Sequence, residues 1–156
     1  MSFHKQDFNT RFGTMGDTAE AVYEQWADGN DIRFDRYGFN RPRSNMFKWP
    51  SEIRYTPDYI THDRLIEVKG CGRDGLAKIK QENLDALSNW QKHLPVWLFI
   101  WNSALEEHAY FELSQRFYLW LPKNCSNGRF PDNNKVFWNI PFQACQEKVW
   151  DSWTRS

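Results

Sequence analysis

Six consecutive apolar residues, VWLFIW at positions 96–101, constrain the fold of this 156-residue chain more than any other segment. The run is far shorter than the roughly 18 to 20 residues that a membrane-spanning helix needs. A short run that is apolar throughout is typical of a β-strand covered on both faces. The run therefore predicts a central strand with layers of structure on both sides, and no membrane association.

Other patterns predict the elements around this strand. Asp17 and Glu20 have the spacing of a capping box and begin a helix that Gly29 ends. Apolar residues near a 3.6-residue period predict a second helix over 75–93, and 141–153 has the pattern of a closing helix. Strands are predicted at 54–60, 64–69, 109–113, 117–121 and 136–140, and a polar loop at 124–134. This order predicts an α/β (α+β) domain with three layers, α/β/α, around a central mixed β-sheet.

Composition excludes several classes of protein. Hydrophobic residues make up 40% of the chain and its net charge is zero, so it does not have the composition of a disordered protein. The N-terminal MSFHKQDFNTRF lacks the apolar segment of a secretory signal, which predicts a cytoplasmic protein. The three cysteines form no C-x-x-C pair, and the four histidines lack metal-binding spacing. A metal would therefore be a hard cation held by carboxylates.

The zero net charge hides an uneven distribution. Residues 33–80 contain eleven Lys or Arg and six acidic residues, while the remainder has nine and fourteen. Within the basic segment, aromatic residues alternate with Arg and Lys along 33–50, a mixture that can neutralise phosphates and stack on bases. The competing interpretation is a solvated loop whose aromatic residues pack on the core.

The most informative residues are Asp58, Glu67 and Lys69. The two-residue period of a strand places Glu67 and Lys69 on one face and Ile66 and Val68 on the other. A charged pair on one face can simply be solvent-exposed. Asp58, however, lies on the preceding predicted strand, and antiparallel pairing can bring its carboxylate beside Glu67.

Two adjacent carboxylates repel each other unless a positive group joins them, so this arrangement favours a divalent cation. Mg²⁺ fits best, because it binds one or two carboxylates and keeps several waters. The backbone carbonyl of Val68 is a further candidate ligand. Lys69 can orient or help to deprotonate a water and stabilise charge on phosphorus. These residues predict metal-assisted phosphodiester hydrolysis.

Pro57-Asp58 followed by Glu67-x-Lys69 resembles the signature of the PD-(D/E)xK nuclease superfamily, which has the restriction-endonuclease-like fold. The pattern is closest to Holliday-junction-resolvase-like or phage-type nucleases, because Gly16-x-x-x-Glu20 is similar to the G-x-x-x-E of archaeal resolvases. In that subgroup the residue matching Glu20 completes the metal site. Helix capping is the competing role of Glu20, and Glu24, one turn later, is a substitute candidate.

The resemblance covers about residues 10–102 of a single domain, 1–156, with 103–156 as an extension. Many members of the superfamily carry a Lys or Gln on the helix after E-x-K, and three residues compete for that role. These are Lys78, Lys80 and Gln81.

The resemblance implies a Mg²⁺-dependent DNA endonuclease that acts on duplex or branched DNA, with Mn²⁺ as a substitute and without a small-molecule cofactor. A homodimer and an origin in a phage or mobile element are also expected. A non-catalytic nucleic-acid-binding protein on the same fold, an exonuclease and an RNA nuclease remain as alternatives. The residues expected to contact nucleic acid are Arg11, Arg36, Arg41, Arg43, Lys48, Arg73, Lys78, Lys80 and Gln81.

Overall fold

The computed structural model describes residues 15–38 and 48–154, with side chains from residue 18 onward. The helices of these ranges are α1 (Met15–Gly29), α2 (Ser51–Arg54), α3 (Gln81–Trp90), α4 (Gln115–Asn124) and α5 (Phe142–Glu147), followed by a 3₁₀ turn at Val149–Asp151. The strands are β1 (Asp35–Arg36), β2 (Tyr59–Ile60), β3 (Leu65–Cys71), β4 (Leu76–Lys80), β5 (Val96–Asn102), β6 (Glu107–Glu112), β7 (Ser126–Arg129) and β8 (Val136–Pro141).

The strands form two sheets. The larger one is mixed and has the order β1-β2-β3-β5-β6, in which β3 and β5 are parallel and the other neighbours antiparallel. The smaller one is antiparallel and has the order β4-β8-β7. The predicted central mixed sheet is therefore present, and β3 and β5 lie inside it.

Apolar residues of β5 point into two different cores, as its sequence predicts. Phe99 packs with Ile66 and with Ala19 and Tyr23 of α1 on one face of the sheet. Leu98 and Ile100 join the core on the opposite face. That second core contains Leu84 and Leu87 of α3, Ile79 and Trp138 of the small sheet, and Phe117 and Trp150 of the C-terminal region. The sheet is thus covered on both sides, and the α/β fold class is confirmed.

The helix predicted over 75–93 is shorter than expected. Residues Leu76–Lys80 form β4, and α3 begins only at Gln81. Ala77 and Ile79 are buried while Lys78 is exposed, which is the two-residue alternation of a strand. The partner of β4 is β8, with Leu76 opposite Pro141, so a contact across 65 positions overrides the local helical pattern.

Four further predictions change as well. Residues 117–121, predicted as a strand, lie in α4. Phe117, Trp120 and Leu121 have helical spacing and are buried. Ser114 caps the helix, because its hydroxyl accepts a hydrogen bond from the Phe117 N–H at 3.3 Å. The closing helix is interrupted at Lys148, whose φ is 50°. The strand predicted over 54–60 is reduced to β2, and part of the predicted 124–134 loop is β7. Within the described ranges, no helix has the length and apolar character needed to cross a bilayer.

Candidate active site

A short hairpin positions Asp58. Strands β2 and β3 are antiparallel, with Tyr59 opposite Ile66. Asp58 directly precedes β2, and its Oδ2 accepts a hydrogen bond from the backbone N–H of Val68 at 2.8 Å. The bond holds the carboxylate against the middle of β3. The predicted hairpin geometry is therefore present even though β2 is only two residues long.

Close backbone packing also holds the segment that carries Asp58. The carbonyl oxygen of Asp58 accepts hydrogen bonds from the N–H groups of Tyr37 at 2.9 Å and Gly38 at 3.3 Å. A Cβ atom on Gly38 would lie 2.7 Å from the Thr56 carbonyl oxygen and 2.8 Å from that of Pro57. Real Cβ atoms do not come so close to backbone, so this position requires glycine.

Glu67 and Lys69 share one face of β3, as predicted, but that face is not open to solvent. Glu67 is only 4% exposed. Its neighbours on the same face of the strand, Leu65 and Cys71, belong to a core that also contains side chains of α3. Lys69 Nζ lies 3.3 Å from Glu67 Oε2, and the lysine side chain is 27% exposed. The pair thus lies at the boundary between core and solvent, with Glu67 on the buried side and Lys69 partly open to a ligand.

The surroundings of Asp58 disfavour the negative charge of its own carboxylate. Burial raises the pKa of the Asp58 carboxyl well above its usual range, and the charges of Glu67 and Glu20 raise it further. Lys69 and the Val68 N–H act in the opposite direction and do not compensate. Glu67 and Glu20 are therefore each close enough to Asp58 to repel its negative charge, and Glu20 of α1 belongs to the same group.

The structure distinguishes Glu20 from Glu24. Glu24 is 2% exposed, and its Oε2 accepts hydrogen bonds from the Tyr59 hydroxyl at 2.6 Å and from Arg36 Nη2 at 2.5 Å. Arg36 Nη1 lies 3.9 Å from Glu20 Oε2. Glu24 thus acts as the anchor of Arg36 and Tyr59. Glu20, whose charge reaches Asp58, is the better candidate for the site.

Sequence reasoning missed Asn83. This residue lies in the first turn of α3, is 2% exposed, and donates a hydrogen bond from Nδ2 to Glu67 Oε2 at 3.2 Å. Asn83, Leu84 and Leu87 occupy one buried stripe of the helix. A polar residue within an apolar stripe is the signal that could have identified it, because a buried amide needs partners.

The three candidates for the position after E-x-K are associated with the small sheet. Lys78 and Lys80 are on β4, with Nζ atoms 5.5 Å and 5.6 Å from the ring centres of Phe137 and Phe130. Gln81 accepts a hydrogen bond from the Trp138 indole and donates one to Asp85. Their predicted contacts with nucleic acid remain predictions.

Of the other residues predicted to contact nucleic acid, the structure describes Arg36, Lys48 and Arg73. Arg73 is exposed in the turn after β3 and lines an open cleft of about 440 Å³ together with Gly70, Gly72 and Lys78. Lys48 is exposed. In the aromatic segment, the partly buried Phe34 packs against the core that contains α1 residues, while Tyr37 is 43% exposed. Arg11, Arg41 and Arg43 lie outside the described residues.

The donor set suits Mg²⁺ rather than a transition metal. In the described part of the chain, no three His, Cys, Asp or Glu side chains form a ready-made metal cage. Asp58 and Glu67 offer two carboxylates, and Mg²⁺ binds through one or two carboxylates while keeping several waters. In a strand, the N–H and C=O of one residue face the same neighbour, so the Val68 carbonyl faces the edge where Asp58 lies. The repulsion at Asp58 also fits a site that takes up a cation.

Comparison with solved structures finds similar chains. Among solved structures, the chain is similar to D212, a nuclease from a fusselovirus. The two share 10% sequence identity with a TM-score of 0.48, over 89% of this chain and 93% of that chain. No protein-family model and no curated protein matches the sequence. The assignment of a function therefore depends on the site itself.

Proposed function

We propose that the protein is a Mg²⁺-dependent nuclease that hydrolyses phosphodiester bonds in DNA, with Asp58, Glu67 and Lys69 at its centre. The observation that supports this proposal is the position of the Asp58 carboxylate. It is held on the Val68 N–H beside Glu67, and its pKa is raised by burial and by neighbouring carboxylates. A protein that only binds nucleic acid gains nothing from acids grouped in this way, because they repel an anionic ligand.

Each residue has a distinct role in the proposed reaction. Asp58 and Glu67 hold the cation through their oxygens, and the Val68 carbonyl is a further ligand. When bound, a divalent cation supplies Lewis-acid stabilisation of the phosphate and makes a bound water more acidic. Lys69, whose Nζ is 3.3 Å from Glu67, orients the water or stabilises the charge on phosphorus. Glu20 acts as an outer carboxylate.

Cleavage assays test the proposal directly. The purified protein is incubated with plasmid, linear, single-stranded and four-way-junction DNA in Mg²⁺, in Mn²⁺ and in EDTA, with structured RNA in parallel. Asp58→Asn and Glu67→Gln remove the ligands. Asp63→Asn is the matched control, because Asp63 lies in the β2–β3 turn and is bound to Arg64 at the other end of the hairpin.

We expect cleavage of DNA that requires the metal, is lost in Asp58→Asn and Glu67→Gln, and is unchanged in Asp63→Asn. Cleavage that survives both site variants contradicts the assignment. Salt-sensitive DNA binding without cleavage under either metal identifies the non-catalytic alternative.

The finer parts of the proposal have their own readouts. An endonuclease converts covalently closed plasmid to nicked or linear forms, whereas an exonuclease needs a free end. Preferential cleavage of the four-way junction supports a resolvase-like enzyme, for which a homodimer is expected because symmetric cuts need two sites. Sedimentation at the mass of a single chain contradicts the dimer.

A further inference from the structure

The buried amide of Asn83 uses its N–H group but not its oxygen in hydrogen bonding. Its Nδ2 donates to Glu67 Oε2 at 3.2 Å, while its Oδ1 is buried and has no hydrogen-bond partner. An ionised carboxylate only accepts hydrogen bonds, so the amide must face Glu67 with its N–H group. The amide oxygen is thereby directed elsewhere in the same buried region.

An unpaired amide oxygen in a protein interior is costly. Leaving a buried acceptor unsatisfied typically costs about 1 to 3 kcal/mol, and such groups are rare in folded proteins. A leucine at position 83 would fill a similar volume without this cost, and the stripe that contains Asn83 already holds Leu84 and Leu87. The polar side chain is therefore explained best by a partner that is bound only when the site is loaded.

We propose that Asn83 is a positioning residue of the site, fixing Glu67 through its N–H and accepting, through Oδ1, a hydrogen bond from a water that accompanies the bound divalent cation. This inference rests on the proposed function.

The position of Asn83 is suited to this role. Lys69 Nζ and Asn83 Nδ2 both contact Glu67 Oε2, at 3.3 Å and 3.2 Å, so two donors hold one carboxylate oxygen. Residues that orient a metal ligand from outside its first coordination sphere typically change metal affinity or activity 10- to 100-fold when they are replaced. Asn83 is a residue of this kind, because it donates to Glu67 through Nδ2 and has an unused acceptor in Oδ1.

The test measures Mn²⁺ binding by calorimetry on the full chain without DNA. Asn83→Leu removes both polar atoms, and Asn83→Asp keeps an oxygen at the position of Oδ1. Asn89→Leu is the matched control, because Asn89 lies on the same helix and donates to Glu52 on the surface at 3.2 Å. Circular dichroism checks folding, and Asn83→Ala replaces Asn83→Leu if the leucine variant does not fold.

We expect Mn²⁺ binding about tenfold weaker or worse in Asn83→Leu, near wild type in Asn89→Leu, and at least as tight as wild type in Asn83→Asp. A single-turnover cleavage rate at saturating Mn²⁺ is expected to fall in Asn83→Asp, which no longer donates to Glu67. An affinity within twofold of wild type in the apolar variant overturns the inference, as does an equal loss in the apolar and aspartate variants.

The failure of this inference and the failure of the proposed function can be told apart. Wild-type protein that binds Mn²⁺ and cleaves DNA, with Asn83→Leu indistinguishable from it, leaves the nuclease assignment intact and removes Asn83 from the site. Protein that binds Mn²⁺ but cleaves nothing contradicts the nuclease assignment, while the Mn²⁺ affinities still decide the role of Asn83. Wild-type protein that binds no Mn²⁺ overturns both.

Discussion

Asp58 accepts a hydrogen bond from the backbone of Val68, 2.8 Å away on the neighbouring strand. The bond extends the β2–β3 pairing by one contact beyond Tyr59 and Ile66, the last pair of the ladder on that side. Since the donor is a backbone group, the register of the hairpin helps to set the position of the carboxylate. A chemical site here needs no special side chain at position 68.

Asp58→Asn is expected to stabilise the metal-free protein at neutral pH. The pKa of Asp58 is raised in the fold by burial and by Glu67 and Glu20, so the folded state binds its proton more tightly than the unfolded state. Below the pKa of an aspartate in the unfolded chain, about 3.9, the Asp58 carboxyl is protonated in both states and the folded state keeps its full stability. As the pH rises through the higher pKa of Asp58 in the folded state, the carboxyl ionises in unfavourable surroundings and part of that stability is lost. Asparagine keeps an oxygen for the Val68 N–H and removes the charge. In EDTA, the melting temperature should exceed that of wild type by about 2 to 4 °C at pH 7, and the difference should shrink toward pH 4. An equal difference at both pH values contradicts this account.

Lys69→Met should reduce catalysis without weakening DNA binding. Lys69 lies beside Glu67 and is partly exposed, so its charge acts on the reacting phosphate rather than on the whole duplex. Removal of one such stabilising group typically lowers kcat about 10²- to 10³-fold. Single-turnover cleavage and DNA binding in EDTA separate the two effects. Lys92→Met, at an exposed lysine just after α3, should change neither; a comparable loss there points to general electrostatics.

Gly38→Ala should damage the site more than an ordinary glycine substitution. The added methyl group would lie within 3 Å of the carbonyl oxygens of Thr56 and Pro57, and the backbone carrying Asp58 must shift to accommodate it. Such overpacking costs about 1 to 3 kcal/mol. Gly29→Ala is the control, since a Cβ there meets nothing within 4 Å. Urea denaturation and cleavage assays should show losses in the first variant and none in the second.

Glu82 should contribute more to stability than its partner Lys135. Its carboxylate receives hydrogen bonds from the Tyr55 hydroxyl and from Lys135 Nζ, the latter at 2.6 Å, and Arg54 Nη2 lies 3.7 Å away. Burial alone raises the pKa of Glu82, but the bonds from Lys135 and Tyr55 lower it overall. We expect Glu82→Gln to reduce the free energy of unfolding by about 1 to 2 kcal/mol and Lys135→Met by less than about 1 kcal/mol. The order should be visible in urea titrations, and a larger loss in Lys135→Met contradicts it.

The central part of the site was predictable because short-range rules set its geometry. The two-residue period of a strand placed Glu67 and Lys69 on one face, and a short polar link implied the hairpin that brings Asp58 beside them. The role of Asn83 was not predictable in this way. Its contact with Glu67 depends on how α3 packs across β3, which no local pattern encodes.

In the fold, too, some elements follow from their own residues and others depend on distant parts of the chain. The apolar run of β5 predicted a doubly covered strand, because its own side chains need both cores. In β4, Leu76 and Ile79 fit a helical period equally well, and only pairing with β8 determines that the segment is extended. In α4, an aromatic-rich stretch with strand propensity became a helix because Ser114 caps it and its apolar residues reach the core at helical spacing.

The pairing of β4 with β8 also has a consequence during synthesis. A ribosome delivers about 5 to 20 residues per second, so β2, β3 and β5 emerge a few seconds before β8 completes the small sheet. During that interval, Asp58 and Glu67 can already be neighbours, while the start of α3 still lacks the strand that anchors β4. The acidic pair can thus form before the small sheet that holds β4 is complete. A chain truncated before residue 136 would carry the acids of the site without the framework that orients them.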